Sequence, residues 1–197
     1  MPDRRFTSVA GERIVLRRFA MADLATFVAY RSDPDVARYQ GWEAPYPRAK
    51  AQRSIRELQR EHPDTPGQWF QFATELRATG ELIGDCACGI DAEDALQAEI
   101  GFTLRPEFQG HGYATEATRA LLGYLFGVRA KHRVTARCDP RNAPSVAVLE
   151  RLGMRREGHT RESTWAKGEW TDDLLYAILD REWQERNGAA QSGSAAK

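Results

Sequence analysis

R-P-E-F-Q-G-H-G-Y-A, residues Arg105 to Ala114, joins a strand-like run, A-E-I-G-F-T-L, to a helix that begins T-E-A-T-R-A-L-L. The helix places Ala114, Ala117, Leu121, Leu122, Leu125 and Phe126 on one apolar stripe. A strand thus enters a glycine-flexed loop and leaves it at a helix N-terminus, whose backbone N–H groups have no intrahelical acceptors. Those donors, with roughly half a positive charge from the helix dipole, suit a phosphate or pyrophosphate. Gly110 and Gly112 let the backbone come close to an anion. No Lys or Arg lies between Gln109 and Ala114, so the cradle is expected to be mostly main chain.

Three glycine-loop patterns compete for this stretch. A nucleoside-triphosphate loop requires a Lys after its last glycine, and Tyr113 follows Gly112. A dinucleotide loop requires G-x-G-x-x-G/A, and Thr115 occupies the third small position. Asp139 could imitate that fold's ribose-binding acid, yet the chain offers one strand–helix–strand unit where two are usual. The third pattern, Q/R-x-x-G-x-G/A, is met in full by Gln109, Gly112 and Ala114. It resembles the pyrophosphate loop with which GNAT-superfamily N-acetyltransferases hold acetyl-coenzyme A (acetyl-CoA).

Downstream, D-P-R-N-A-P-S-V-A-V-L-E-R-L-G-M-R-R-E-G (Asp139–Gly158) is similar to the N-x-x-S…L-E-R/K-L-G-[FM] segment of the RimJ/RimL-like branch, whose named members acetylate protein N-termini. R-I-V-L-R-R-F-A-M-A-D-L at the front, and K-G-E-W-T-D-D-L-L-Y-A-I-L with R-E-W near the end, also resemble that branch. The likeness covers residues 10–184. It implies an α/β GNAT fold: a single mixed, twisted sheet of six or seven strands flanked by helices, with a splayed parallel central pair. It further implies that the backbone of Phe102, Thr103 and Leu104 holds the pantetheine arm. The loop Gln109, Gly110, His111, Gly112, Tyr113, Ala114 would take the pyrophosphate. Asn142 would touch the arm, and Ser145 would lie near the sulfur as candidate proton donor. Homodimers are common among the proteins it resembles, and no stretch here marks an interface.

Composition agrees with one domain and excludes other classes. A chain of 197 residues that is 42% hydrophobic can bury one substantial core. Lys plus Arg and Asp plus Glu both number 28, so no basic field draws it to nucleic acid. No apolar run approaches the roughly 20 residues that span a bilayer. M-P-D-R-R-F-T contains no apolar leader, which favours the cytoplasm. Cys86, Cys88 and Cys138, with four scattered histidines, make no metal pattern, and the thiols read as reduced and mostly buried. The domain is expected to fill residues 1–186. The small-residue run N-G-A-A-Q-S-G-S-A-A-K (187–197) reads as a disordered tail.

Periodicity and breakers predict strands at 12–18, 68–76, 82–90, 98–104, 132–138, 155–164 and 172–179. Helices are expected at 21–31, 48–61, 113–128 and 144–152, with Asp33–Pro34 breaking the first and Gly153 stopping the last. The strands around the 113–128 helix should be parallel neighbours, with ligand outside their carboxyl ends.

The implied chemistry sets what the site must contain. An amine of pKa ~10 is protonated at neutral pH and needs a base and a dry site before it can attack a thioester. The acyl oxygen needs an N–H donor. Direct attack, with no covalent enzyme intermediate, is the superfamily's usual course. Glu99 is the candidate base; its alternative is a rim glutamate paired with Arg105 or a neighbouring strand. Glu157 and Glu162 are the runners-up, and strand register decides among the three. Asn142 equally suits a helix N-cap, and a Ser145 hydroxyl transfers protons poorly without help. Cys138 reads as a small hydrophobe, and Tyr176 can face either the thioester or the core. The amine acceptor is expected at Y-Q-G-W-E-A-P-Y-P (Tyr39–Pro47): Trp42 and Tyr46 could wall it and Glu43 could hold its charge, or the aromatics simply pack on the core. A peptide N-terminus, a polyamine and an aminoglycoside all fit. A non-catalytic acyl-CoA-binding sensor is the alternative function.

Overall fold

The computed structural model describes residues 6–194, those after 187 by their backbone alone. One sheet contains β1 (Ser8–Ala10), β2 (Ile14–Arg17), β3 (Trp69–Leu76), β4 (Leu82–Ile90), β5 (Gln97–Leu104), β6 (Arg133–Cys138), β7 (Arg155–Ala166) and β8 (Glu169–Leu179). Its spatial order is β1-β2-β3-β4-β5-β6-β8-β7. Every neighbouring pair is antiparallel except β5–β6. A dinucleotide fold needs a run of parallel strands, so this topology removes that reading. The sheet has eight strands rather than six or seven. The extra one, β1, is too short to show periodicity and forms by pairing Ser8 with Arg17 of β2.

The helices are α1 (Leu24–Arg31), α2 (Pro34–Ala37), α3 (Arg48–Leu58), α4 (Tyr113–Gly127), α5 (Ala143–Arg151) and α6 (Asp180–Ser194). L-I-G-D-C-A-C-G-I, β4, is buried at every position, so both of its faces are covered. The α1–α3 pair packs against one face, and α4, with α5 beside it, against the other. The apolar stripe of α4 fills the core as expected: Ala117, Leu121, Leu122 and Leu125 are fully buried.

Several elements differ from expectation for local reasons. Met21–Asp23 is a 3-10 turn that precedes α1. Asp33 ends α1 but also starts α2, its Oδ1 accepting the N–H groups of Asp35 and Val36. The β7–β8 hairpin is longer than its apolar core, because Lys167 (φ +52°) and Gly168 (φ +86°) form the mirror-type turn that suits a twisted hairpin. Gly153, at φ +83°, ends α5 with paired bonds, Met154 N–H to Leu149 O and Gly153 N–H to Glu150 O. The backbone of α6 runs to Ser194, into the segment expected as a tail, whose last residues 195–197 lie outside the described set. The described residues contain no helix long and apolar enough to cross a membrane, and no group of side chains placed to hold a metal ion.

Candidate active site

The parallel pairing of β5 with β6 runs from Gln97–Arg133 to Ile100–Ala136 and stops there, although both strands continue. β4 stays paired with β5 as far as Leu104, and β8 stays paired with β6 as far as Cys138. The two central strands therefore splay, and a gap opens beside Gly101–Leu104. Arg105 donates to Ile83 O on β4, which sets the phase of the alternating bonds. By that alternation Thr103 turns its backbone groups to β4, while Phe102 and Leu104 turn theirs to the gap. Of the three residues expected to hold a pantetheine arm, the middle one is thus committed to the sheet. Leu104 O already accepts from Gln109 Nε2 at 3.0 Å, so Gln109 ties the loop to the strand that precedes it.

The loop takes the shape its glycines permit. Gly110 and Gly112 lie at φ +79° and +81°, and Gly112 is the N-cap of α4. Its carbonyl accepts the Glu116 N–H, while the N–H groups of the first turn have no helical acceptor. A side chain at Gly110 would meet nothing within 4 Å, so the outer face of the loop is open. Beside it lies a cavity of about 710 Å³ whose lining includes Gly110, Gly112, Thr115, Arg119 and Arg151. A pyrophosphate fits this donor set: main-chain N–H groups at a helix start, with the exposed Arg13, Arg119 and Arg151 in the lining beside Glu12 and Glu116. His111 is exposed, and its backbone carbonyl is the part that is used, accepting from Arg13. Tyr113 and Ala114 are half-buried where α4 begins.

Asn142 is the N-cap of α5; its Oδ1 accepts the Ser145 N–H at 3.3 Å. That bond aligns the first turn of α5 at the carboxyl end of β6, on the rim of the splay. The half-buried Ser145 hydroxyl makes no hydrogen bond among the described residues. The preceding loop is braced by Arg141, which pairs with Asp139 and Glu169 and accepts Tyr39 Oη at its carbonyl.

Register separates the three candidate carboxylates. Glu99 sits one residue before the pairing ends, opposite Thr135. Its side chain is only 33% exposed, and its partner is Arg137 on β6 at 3.7 Å rather than Arg105. Burial raises its carboxyl above the ordinary value, Arg137 opposing and Asp173 assisting. Glu157 is exposed and bonded to Arg133, which holds its carboxyl below the usual range. Glu162 is exposed at φ +45° in the irregular part of β7, where its N–H donates to Asp172 Oδ1 at 2.8 Å. Between Glu99 and Glu157, burial thus raises the one carboxyl and an ion pair lowers the other.

Burial pushes the Cys138 thiol up to about 11, which leaves no thiolate for nucleophilic work. Tyr176 faces the core at 2% exposure, and its hydroxyl donates to Glu150 Oε1 on α5 at 3.3 Å.

The Tyr39–Pro47 loop is pinned from behind. Trp42 Nε1 donates to Arg31 O at 3.0 Å, and the Arg31 guanidinium lies 4.1 Å from the Trp42 ring and 5.3 Å from that of Tyr46. Tyr46 is buried against Phe27, so it braces the loop and offers no face to an acceptor. Trp42 is half-buried and Glu43 exposed. Arg31 is itself buried, paired with Asp85 on β4, which also accepts Tyr30 Oη at 2.5 Å. Sequence reasoning missed this cluster and the Arg13–Glu116 pair on the far side of the loop. The one visible signal was Asp85, a lone charge inside an apolar strand.

Comparison with known proteins agrees with this geometry. Residues 13–155 match the family model described as Acetyltransferase (GNAT) domain. The uncharacterized N-acetyltransferase YnaD of Bacillus subtilis (strain 168) is 31% identical over 175 residues, 89% of this chain and 98% of that protein. The [Ribosomal protein uS5]-alanine N-acetyltransferase of Escherichia coli (strain K12) is 31% identical over 84 residues, 43% of each chain. A GNAT-family acetyltransferase from Bacillus anthracis superposes with a TM-score of 0.79 at 30% identity, covering 89% of this chain and all (100%) of that one. The chain belongs to the GNAT acetyltransferases, enzymes that in general move an acetyl group from acetyl-CoA to an amine.

Proposed function

We propose that this chain acetylates a primary amine, on a protein N-terminus or a small molecule, by direct attack within a ternary complex. The observation that carries the reading is the half-buried Glu99 carboxylate on β5, one residue before the β5–β6 pairing ends and the strands part. Acetyl-CoA supplies an activated acyl thioester. The chain's residues do the rest. Gly110, Gly112 and the first turn of α4 receive the pyrophosphate, and Phe102 presents its backbone to the arm. Glu99 Oε takes the proton that the attacking ammonium must lose. The new C–N bond forms as the C–S bond breaks, and the second N–H proton, lost as the amide forms, passes to the departing sulfur through the Ser145 hydroxyl. Trp42 and Glu43 border the acceptor side. The uS5-alanine specificity named for the Escherichia coli relative makes an alanine-initiated peptide the first acceptor to assay.

The test is thiol release from acetyl-CoA against a panel of such peptides, spermidine, an aminoglycoside and free amino acids. Glu99→Gln should lower kcat about 10²–10⁴-fold, the usual worth of a general base, while acetyl-CoA still raises the melting temperature. Undiminished turnover in the variant would remove Glu99 from the mechanism.

A further inference from the structure

Glu116 stands in the first turn of α4, four residues past the N-cap that would hold the pyrophosphate. A carboxylate there suits an empty helix dipole, but next to a bound anion it is a like charge. Its contacts show how the conflict is met. Oε1 accepts the backbone N–H groups of Arg13, at 2.5 Å, and Ile14, at 3.2 Å, and Oε2 accepts Arg13 Nε at 2.7 Å. The same guanidinium reaches into the loop: Nη1 donates to His111 O at 3.2 Å, and the group lies 4.6 Å from the centre of the Tyr113 ring. A Cβ on Gly112 would stand 3.5 Å from Arg13 Nη2. One side chain from the residue just before β2 thereby touches His111, Tyr113 and Glu116 and closes beside Gly112.

We infer that Arg13 and Glu116 are positioning residues for the cofactor loop. Arg13 fixes the His111–Tyr113 backbone and neutralises a carboxylate that would otherwise repel the pyrophosphate. This rests on the proposed acetyl-CoA site. It assigns no chemical step to either residue. The Arg13 side chain is 47% exposed, so its removal leaves the core intact.

The inference predicts a signed coupling, which a purely structural role would not produce. Acetyl-CoA is titrated calorimetrically into wild type, Arg13→Met, Glu116→Gln and the double variant, with the melting temperature of each ligand-free protein recorded. Arg13→Met should bind about tenfold more weakly, the loss of one charge-assisted hydrogen bond to the loop. Adding Glu116→Gln to it should restore about threefold by removing the repelling charge, whereas Glu116→Gln in wild type should give no gain. Wild-type affinity in Arg13→Met, or a double variant no tighter than Arg13→Met, overturns the inference alone. Absence of acetyl-CoA binding by wild type overturns the proposed site together with it.

Discussion

Glu99 illustrates how one side chain's environment sets its chemistry. Burial raises its carboxyl, so the folded chain prefers the protonated form more than the unfolded chain does. The sign follows by linkage: ionised Glu99 costs stability above the unfolded carboxylate pKa of about 4.3, and the cost vanishes once pH falls below that value. Glu99→Gln is therefore expected to melt at a higher temperature than wild type at pH 8, the two converging below about pH 4. Calorimetry across that range checks it, and an unchanged difference at both ends would contradict the burial argument. The acidic limb of kcat/KM should likewise lie above that of an ordinary glutamate and disappear in the variant. The sequence offered Glu99 as the candidate base, with Glu157 and Glu162 as runners-up. The half-burial of Glu99 and the Arg133 contact of Glu157 set those two apart, and both depend on which strands become neighbours.

At the scale of the element, the loop between α2 and α3 has its geometry set by a charge beneath it. Arg31 ends α1, a position where a cation suits the helix dipole. The fold instead buries it among Phe27, Trp42 and Tyr46, with Asp85 as counter-ion. Its Nε has no hydrogen-bond partner among the described residues, and the three aromatic faces stand in for one. Arg31→Met strands Asp85 in the interior and should cost about 3 kcal/mol. Arg31→Met/Asp85→Asn removes both charges and should recover most of that loss. Urea denaturation of the two variants decides. Equal destabilisation would mean that the aromatic packing, rather than the unpaired aspartate, carries the energy.

Over the whole molecule, the sheet is continuous and the helices keep its central strands dry. The last helix contributes from the edge. Trp183 on α6 is 6% exposed and stacks on Phe126 of α4, with ring centres 6.0 Å apart. R-E-W looked like a closing signature in the sequence; here it seals the C-terminal end of the helix whose first turn forms the loop. Trp183→Ala should cost about 3–5 kcal/mol by opening a cavity at that contact. The loop lies at the opposite end of α4, so acetyl-CoA affinity should change by less than about threefold as long as the protein is folded. Thermal melts with and without acetyl-CoA measure both quantities.

The elements that rest on local rules were legible in the chain itself. Apolar spacing marked α4 and seven of the strands, Gly112 and Gly153 marked helix ends, and Asn142 marked a cap. The glycine loop stated its anion chemistry through backbone conformation alone, which neighbouring residues suffice to dictate. Only the tertiary structure decided where the β5–β6 pairing stops, that Glu99 is half-buried beside Arg137, and that Tyr46 turns inward. It alone brought Arg13 to Glu116 across 103 residues and Arg31 to Asp85 across 54. Such contacts depend on strand register and on burial, and these exist only once distant segments share a core.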